Sequence, residues 1–318
     1  MRIMVTGANG FVGKHVVKHL SHSSSAQIIP IGHGHNKYSP KERFDCDLLN
    51  GECTLNMMRE FSPDIVVHLA GMVGGIGANQ ENPARFMYNN LQMGMNMLES
   101  ASIVGTNRVI MVGTVCSYPH TPPRIPFRED DLWEGYPEPT NAPYGIAKRV
   151  LLEMAAQYNK QYDMSNISLL PVNMYGPGDN FDPNTSHVIP ALIHKMAIAK
   201  ENGDQEVELW GTGKASREFM YVEDFAEACT NACFVNRDIN DPINVGTGFE
   251  IKIKNIALAI KYIVGYEGEL VCDYSKPDGQ PRRCLNIDRA KELLRWKPTT
   301  ILKEGLEATY LWYMENCK

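Results

Sequence analysis

Short apolar runs alternate with segments of helical spacing along the first half of the chain. The runs Arg2–Thr6, Asp64–Leu69 and Arg108–Val112 are mostly apolar, which indicates parallel strands that are covered on both faces. A glycine turn follows the first run, and the apolar residues from Val12 to Leu20 are then spaced as on one face of a helix. This alternation predicts an α/β fold of the Rossmann type, with a doubly wound parallel sheet.

The same periodicities predict the other elements of this half. Strands are expected at Gln27–Ile31, near Phe44–Leu48 and at Asn166–Pro171, and helices at Met57–Phe61, Arg85–Val104 and Pro143–Tyr162.

Composition and charge exclude several classes of protein. The 318 residues carry a formal net charge of -6, so there is no basic excess for binding nucleic acid or an anionic membrane. No apolar run reaches the roughly 18 residues of a spanning helix, and the apolar N-terminus is interrupted at Gly7, too early for a signal peptide. We therefore expect a cytoplasmic protein. Its eight cysteines show no C-x-x-C spacing, so we expect free thiols and no metal site.

The glycine turn after the first strand carries the first chemical signal. Gly7, Gly10 and Gly13 are spaced G-x-x-G-x-x-G between that strand and the first helix. The first glycine permits a tight turn, the second lets a pyrophosphate approach, and the third lets helix and strand pack closely. Because the helix N-terminus presents N–H groups to phosphates, the turn predicts a bound dinucleotide.

The segment after the second strand indicates which dinucleotide is bound. NAD-dependent enzymes usually place an acidic residue there, which binds the ribose 2′-hydroxyl. Here Gly32–Lys37 contains no carboxylate, and Lys37 could attract a 2′-phosphate, so we expect NADP (NADPH) rather than NAD. Asp47 and Leu48, at the end of the third strand, are candidates for the adenine edge. A surface aspartate that begins a turn is an equally good interpretation of Asp47.

The regular alternation weakens after Asn173, where glycine and proline residues cluster. We predict a second, smaller α/β lobe there, with the chain returning to the sheet near Met220–Phe225 and Ile243–Gly246. The predicted domains are an NADP-binding domain of residues 1–172 plus about 219–247, and a substrate-binding domain of about 173–218 plus 248–318.

A tyrosine and a lysine stand four residues apart near the start of a predicted helix. Tyr144 and Lys148 therefore share one face of that helix. A nearby ammonium favours the phenolate, and such a tyrosine can exchange a proton with a carbonyl or alcohol oxygen. The lysine can also hold the nicotinamide ribose, and Thr114, just past the strand Arg108–Val112, can supply a further hydroxyl. Together these residues predict oxidoreduction at a carbonyl.

Longer motifs point to a family. They stand at His68–Ile76, Gly113–Pro119, Glu138–Lys148, Asn173–Phe181, Ser186–Leu192, Trp210–Gly213, Arg217–Phe219 and Ser275–Gly279. With these motifs the chain resembles the extended short-chain dehydrogenase/reductases, and within them the GDP-L-fucose synthases, nearly from end to end. The Val-Gly-Gly-Ile and Ser-His-Val-Ile-Pro-Ala-Leu segments are the most specific.

The resemblance implies a reaction and two further reactive groups. That family epimerises GDP-4-keto-6-deoxy-D-mannose at C3 and C5 and then reduces C4 with NADPH. A C4 ketone acidifies the C3 and C5 hydrogens, and inversion needs a base on one face and an acid on the other. In the family these roles belong to a cysteine and a histidine, which match Cys116 and His187. Without the family, Cys116 would be interpreted as a small buried hydrophobe and His187 as a structural hydrogen-bonding group.

The resemblance also implies the residues that hold the ligands. The cofactor is expected at Gly7, Asn9, Gly10, Phe11, Val12, Gly13, Lys37, Asp47, Leu48, Leu69, Ala70, Lys148, Asn173 and His187. The GDP-sugar is expected at Asn173, Lys195, Trp210, Arg217 and Asp278. Family analogy further implies a homodimer formed through a four-helix bundle of the helices at about 85–104 and 143–162.

Some positions depart from the family pattern and keep alternatives open. Thr114 replaces the usual serine, and Lys195 replaces what is often arginine, which puts bidentate phosphate binding in doubt. The alternatives are a GDP-4-keto hexose or heptose C4-reductase without epimerisation, another nucleotide-sugar epimerase, and a non-catalytic redox sensor. A sugar 4,6-dehydratase would need an Asp-Glu pair where Val115 and Cys116 stand, and a sensor typically loses the tyrosine or the lysine.

Overall fold

The computed structural model describes residues 1–33, 44–183, 185–276 and 278–317, apart from the side chain of Ile76. A seven-stranded parallel sheet lies at the centre of the molecule. Its strands are β1 (Arg2–Thr6), β2 (Gln27–Gly32), β3 (Phe44–Asp45), β4 (Ile65–His68), β5 (Arg108–Val112), β6 (Ile167–Pro171) and β10 (Ile243–Val245).

The strand order identifies the edge of this sheet at which a ligand is expected. The order is β10-β6-β5-β4-β1-β2-β3, so the chain runs outward from β1 in one direction and then continues from β4 on the other side. Ligands of such sheets bind at the carboxyl ends of the strands, at this switch point. The predicted doubly wound Rossmann-type sheet is therefore confirmed.

The chain forms ten α-helices within the described residues. They are α1 (Phe11–Ser23), α2 (Gly51–Phe61), α3 (Ile76–Glu81), α4 (Pro83–Val104), α5 (Ala142–Tyr162), α6 (Val188–Asn202), α7 (Val222–Phe234), α8 (Ile253–Val264), α9 (Asp288–Leu293) and α10 (Leu302–Asn316).

Local sequence explains where the longer helices begin and end. α2 begins well before Met57, because the Asn50 side chain accepts a hydrogen bond from the N–H of Cys53. α4 begins at Pro83, whose missing N–H costs nothing in a first turn, and ends at Gly105 in the left-handed conformation. α1 packs against α7, and α4 packs against both α2 and α5. None of the helices in the described part of the chain has the length and apolar character needed to cross a bilayer.

A second group of elements forms a smaller lobe. β11 (Glu250–Lys252), β9 (Ser216–Tyr221) and β7 (Asn173–Tyr175) form a three-stranded sheet in that order, and β8 (Glu206–Trp210) pairs with β12 (Glu269–Asp273). These sheets surround a core separate from that of the large sheet, with buried side chains from α6, α8 and α10.

The return of the chain to the large sheet takes two forms. Ile243–Gly246 contains β10, which pairs with β6 as a seventh strand, as predicted. Met220–Phe225 is instead the end of β9 and the start of α7, so this return is made by a helix that packs against α1. Leu285 and Trp296 lie in the core of the large sheet, although they belong to the segment expected in the smaller lobe.

Candidate active site

The glycine turn lies at the switch point of the sheet and is too close to other backbone to accept side chains. Gly7 has a φ of 69°, and a Cβ there would lie 2.8 Å from the nitrogen of Ala70. A Cβ on Gly13 would overlap the carbonyl oxygen of Gly7, and the N–H of Gly10 donates to that same oxygen at 2.9 Å. α1 starts directly after Gly10, a residue that brings no side-chain cap to its first turn. Its first turn, including Phe11 and Val12, therefore fits a pyrophosphate.

Neighbouring residues fix the turn against the ends of β2 and β4. The Thr6 hydroxyl accepts a hydrogen bond from the N–H of Ala70 at 3.3 Å and lies 2.9 Å from Nδ1 of His68. Burial and the positive charge of Lys148 lower the pKa of His68 to about 3, so its ring is neutral. The Asn9 side chain donates to the carbonyl of His33 at 2.9 Å. Leu69, between His68 and Ala70, thus lies across from the glycine turn.

Asp47 and Leu48, the residues predicted at the adenine edge, lie just after β3. Oδ1 of Asp47 accepts a hydrogen bond from the N–H of Leu49 at 3.0 Å, so the aspartate does begin a turn, and Leu48 beside it is buried. Lys37 lies outside the described residues. Asp45 lies with its carboxylate 3.3 Å from Nδ1 of His33, because β3 pairs with β2. The residues directly after the second strand gave no sign of this aspartate.

Thr114, Cys116 and Tyr144 come together at the carboxyl end of β5. Thr114 caps a short 3-10 turn, Val115–Ser117, and its hydroxyl accepts a hydrogen bond from the N–H of Cys116 at 3.2 Å. The same hydroxyl is hydrogen-bonded to Tyr144. Gly145 allows this approach, because a Cβ there would overlap the carbonyl oxygen of Cys116. The predicted hydroxyl pair and the thiol therefore share one pocket.

The ionisation of Tyr144 differs from the sequence expectation. Burial, and next the adjacent Cys116, raise its pKa well above the usual value, while the hydrogen bond from Thr114 opposes this shift. Lys148 does not counteract the burial of Tyr144: its ammonium group donates to the carbonyl of Val112 at 3.0 Å, and burial lowers its own pKa to about 8. Tyr144 is thus held protonated, which suits it to donate a proton rather than to act as a phenolate.

Two buried arginines lie beside the half-buried thiol of Cys116. Nη1 of Arg283 donates to the sulfur at 3.4 Å. Arg217 is close enough for a favourable charge interaction with the same sulfur, and its guanidinium donates to the carbonyls of Ser216 and Asp278. Sequence analysis identified Arg217 but missed Arg283, whose only local signal is its position just beyond the Ser275–Gly279 motif.

His187 and Asn173 lie on the smaller lobe. His187 is the N-cap residue of α6, and within the described residues no hydrogen bond joins its side chain to Cys116 or Tyr144. Burial disfavours the charged form of its imidazole and lowers its pKa. Asn173 begins β7 and is half-buried. The structure thus places His187 at the start of α6, without a hydrogen bond to the thiol.

An exposed aromatic platform lies on the smaller lobe. The Trp210 ring is 53% exposed, and the ammonium groups of Lys195 and Lys276 lie 5.6 Å and 5.3 Å from its centre. Both carboxylate oxygens of Asp278 accept hydrogen bonds from Thr212 at 2.7 Å. Asp278 therefore shapes the turn after Trp210. Sequence analysis did not identify Lys276.

The chain is similar to known proteins, in sequence and in structure, over nearly its whole length. The chain is 38% identical to a probable GDP-L-fucose synthase of Oryza sativa subsp. japonica, over 99% of this chain and 92% of that protein. It is 35% identical to the GDP-L-colitose synthase of Yersinia pseudotuberculosis, over 99% of each chain. The structure is similar to that of GDP-mannoheptose C4 reductase from Campylobacter jejuni with NADP bound, with a TM-score of 0.84, 27% identity and 98% coverage of each chain.

The family model that matches the chain covers most of the large sheet and part of the smaller lobe. It extends over residues 3–246, from β1 to the end of β10, and so includes the glycine turn and the residues around Tyr144. The chain belongs to the NAD dependent epimerase/dehydratase family.

Proposed function

We propose that this protein is a cytoplasmic, NADPH-dependent enzyme that epimerises C3 and C5 of a GDP-4-keto-6-deoxy-hexose and reduces its C4 ketone. The product would be GDP-L-fucose or a close relative. The observation that carries this proposal is the thiol of Cys116 in the same pocket as the hydroxyls of Thr114 and Tyr144. A ketone held by those hydroxyls would place its neighbouring C–H groups beside a sulfur base.

The cofactor is assigned to the domain of the large sheet, residues 1–172 and about 219–247. Gly7, Gly10 and Gly13 leave room for the pyrophosphate, and Lys148 is assigned to the nicotinamide ribose. NADPH bound there supplies the hydride for the C4 carbon. The NADP found in the Campylobacter reductase supports this choice of dinucleotide.

The chemistry assigned to the chain begins with proton transfer beside the ketone. The Cys116 thiolate takes the proton from C3 or C5, and the electron pair of the broken C–H bond moves to O4 as an enolate. The hydroxyls of Thr114 and Tyr144 donate hydrogen bonds to that oxygen. His187 returns a proton to the opposite face, which inverts the centre. The lowered pKa of His187 favours a neutral ring, and the negative diphosphate of the substrate acts in the opposite direction.

Reduction follows in the same pocket. Tyr144, which its raised pKa keeps protonated, gives its proton to O4 as the carbonyl carbon is reduced. One tyrosine thereby serves both steps, first as a hydrogen-bond donor to the enolate oxygen and then as the proton donor to O4.

The smaller lobe, residues about 173–218 and 248–318, is assigned to the GDP end of the substrate. Lys195 and Lys276 form a cationic pair beside the exposed Trp210 ring, which suits a diphosphate next to a stacked base or sugar. Arg217 is the third cation, and Asn173 is a candidate for a sugar or phosphate contact. Asp278 contributes by holding the Trp210 turn through Thr212.

A GDP-4-keto-heptose C4-reductase without epimerisation is the second candidate. It is favoured by the similarity to the Campylobacter reductase and by Thr114 in place of serine, which adds a methyl group to the pocket. It would leave Cys116 and His187 without proton chemistry. A non-catalytic redox sensor is disfavoured because Tyr144 and Lys148 are both present and buried in the site.

Incubation of the purified protein with GDP-4-keto-6-deoxy-D-mannose and NADPH in D2O tests the proposal. NMR of the product is expected to show deuterium at C3 and C5 and a reduced C4 carbon, because the enolate reprotonates from solvent-exchanged groups. Reduction without deuterium at C3 and C5 would support the heptose-type reductase instead. Absence of both would contradict enzymatic activity on this substrate class.

The same proposal includes a homodimer formed by α4 and α5 of two chains. The two helices pack together, and exposed large side chains occur on both, among them Tyr88 and Ile103 on α4 and Val150 on α5. Light scattering is expected to give twice the chain mass of 35.7 kDa. Tyr88→Glu combined with Val150→Glu is expected to halve that mass, whereas Tyr262→Glu on the exposed face of α8 is not. A monomeric mass for the wild type would contradict the dimer.

A further inference from the structure

The guanidinium of Arg283 is the cationic group in hydrogen-bonding contact with the sulfur of Cys116. Its Nη1 lies 3.4 Å from that sulfur, and Arg283 itself is only 7% exposed. None of the carboxylates in the described part of the chain forms an ion pair with Arg283. A buried cation without a carboxylate partner favours a negative charge on the group that it faces.

Hydrogen bonds hold this arginine in place from two sides. Its Nε donates to Oε1 of Gln280 at 2.7 Å, and Gln280 in turn donates to the carbonyls of Pro119 and His120. The N–H of Arg283 also donates to the carbonyl of Ser216 at 3.3 Å. The guanidinium is therefore directed at Cys116 by a framework that connects it to the residues just after the Cys116 turn.

A second arginine also favours a negative charge on the sulfur of Cys116. Arg217 is buried close to Arg283, and its pKa falls to about 10, chiefly through burial and next through the positive charge of Arg283. Cys116, and after it the carboxylates of Glu138 and Asp278, act on Arg217 in the opposite direction. Two repelling cations thus lie beside one sulfur, and a negative charge on that sulfur lessens their repulsion, as the two carboxylates also do.

We propose that Arg283 is a positioning residue that holds Cys116 as a thiolate oriented toward the substrate pocket. This proposal rests on the proposed epimerase function for its catalytic consequence. The step balances within the chain: the Cys116 proton leaves to solvent, the guanidinium stabilises the remaining charge, and the thiolate then accepts one proton from carbon. Gln280 acts through Arg283, by fixing the direction of its guanidinium.

The pH dependence of Cys116 alkylation tests the proposal without any substrate. Iodoacetamide reacts with the thiolate, and mass spectrometry of the peptide that contains Cys116 separates its rate from those of the other cysteines. In the wild type, half-maximal reactivity of Cys116 is expected about one pH unit or more below that of the half-buried Cys272, which faces no arginine in the described structure. Equal midpoints would overturn the proposal even if no variant folds.

Two variants and a matched control sharpen the result. Arg283→Gln is expected to raise the pH of half-maximal Cys116 alkylation by about one unit and to slow alkylation at neutral pH about tenfold. Arg283→Lys keeps a positive charge and is expected to have a much smaller effect on both quantities. Arg282→Gln removes the same charge from the adjacent residue, which is exposed and paired with Glu250, and is expected to leave the midpoint unchanged. An unchanged midpoint in Arg283→Gln overturns the proposal.

Isotope exchange separates this proposal from the proposed function. With GDP-4-keto-6-deoxy-D-mannose in D2O, Arg283→Gln is expected to lower deuterium incorporation at C3 and C5 about tenfold, with a loss that lessens at higher pH. If the wild type incorporates no deuterium, the epimerase function fails, and the alkylation profile still decides the role of Arg283. If the wild type incorporates deuterium but Arg283→Gln leaves the pH dependence of Cys116 alkylation unchanged, only the proposed role of Arg283 is contradicted.

Discussion

Replacing Tyr144 by phenylalanine is expected to lower kcat for reduction of the C4 ketone by about 10²–10⁴-fold, the usual contribution of a positioned proton donor. Tyr144 is buried, and its raised pKa keeps the proton that O4 must receive. The substitution removes one oxygen and leaves Thr114 bonded to the N–H of Cys116. The loss should therefore reflect proton donation rather than collapse of the pocket.

The measurement is the loss of NADPH fluorescence with a saturating GDP-4-keto sugar. KM for the sugar is expected to change much less than kcat, because the GDP end is assigned to Trp210 and its neighbouring cations rather than to Tyr144. Tyr262→Phe, at an exposed tyrosine on α8, is the matched control and should retain wild-type turnover. A Tyr144→Phe enzyme within about threefold of wild-type kcat would contradict the assignment, since such a loss is far below that of a lost proton donor.

The main sheet could be predicted from sequence because its strands carry their own signal. β1, β4 and β5 are covered on both faces, so apolar residues run through them without interruption. The glycine turn was equally visible in the sequence. Each glycine is required by close backbone contacts, either within one βα unit or with the residues that follow β4. The return through α7 was less clear, because a segment as short as Met220–Phe225 shows too little of a period to separate strand from helix.

The electrostatics of the site depend on contacts that no local pattern reveals. Arg283 and Cys116 are separated by 167 positions and meet only because the segment after β12 folds back over the end of β5. The direction of the Lys148 side chain is likewise set by the carbonyl of Val112 rather than by its spacing from Tyr144. The four-residue spacing correctly placed both side chains on one helix, but it could not show how burial shifts the pKa of Tyr144.

Replacing Cys116 by serine is expected to remove epimerisation and leave reduction largely intact. Serine has the size of cysteine and keeps the N–H that bonds to Thr114, but its hydroxyl is a far weaker acid and forms no useful anion near neutral pH. Deuterium incorporation at C3 and C5 is expected to fall by about 10²-fold or more, the scale of a lost general base. Thr114, Tyr144 and Lys148 remain, so the ketone can still be polarised and protonated.

Product NMR in D2O separates the two activities in one sample. The Cys116→Ser enzyme is expected to give a C4-reduced sugar that retains hydrogen at C3 and C5, together with continued NADPH consumption. Cys272→Ser, at a half-buried thiol in the smaller lobe, is the matched control and should incorporate deuterium like the wild type. Deuterium incorporation in Cys116→Ser equal to that of the wild type would remove Cys116 from the proton chemistry. Loss of NADPH consumption as well would instead make the thiol part of the reduction step.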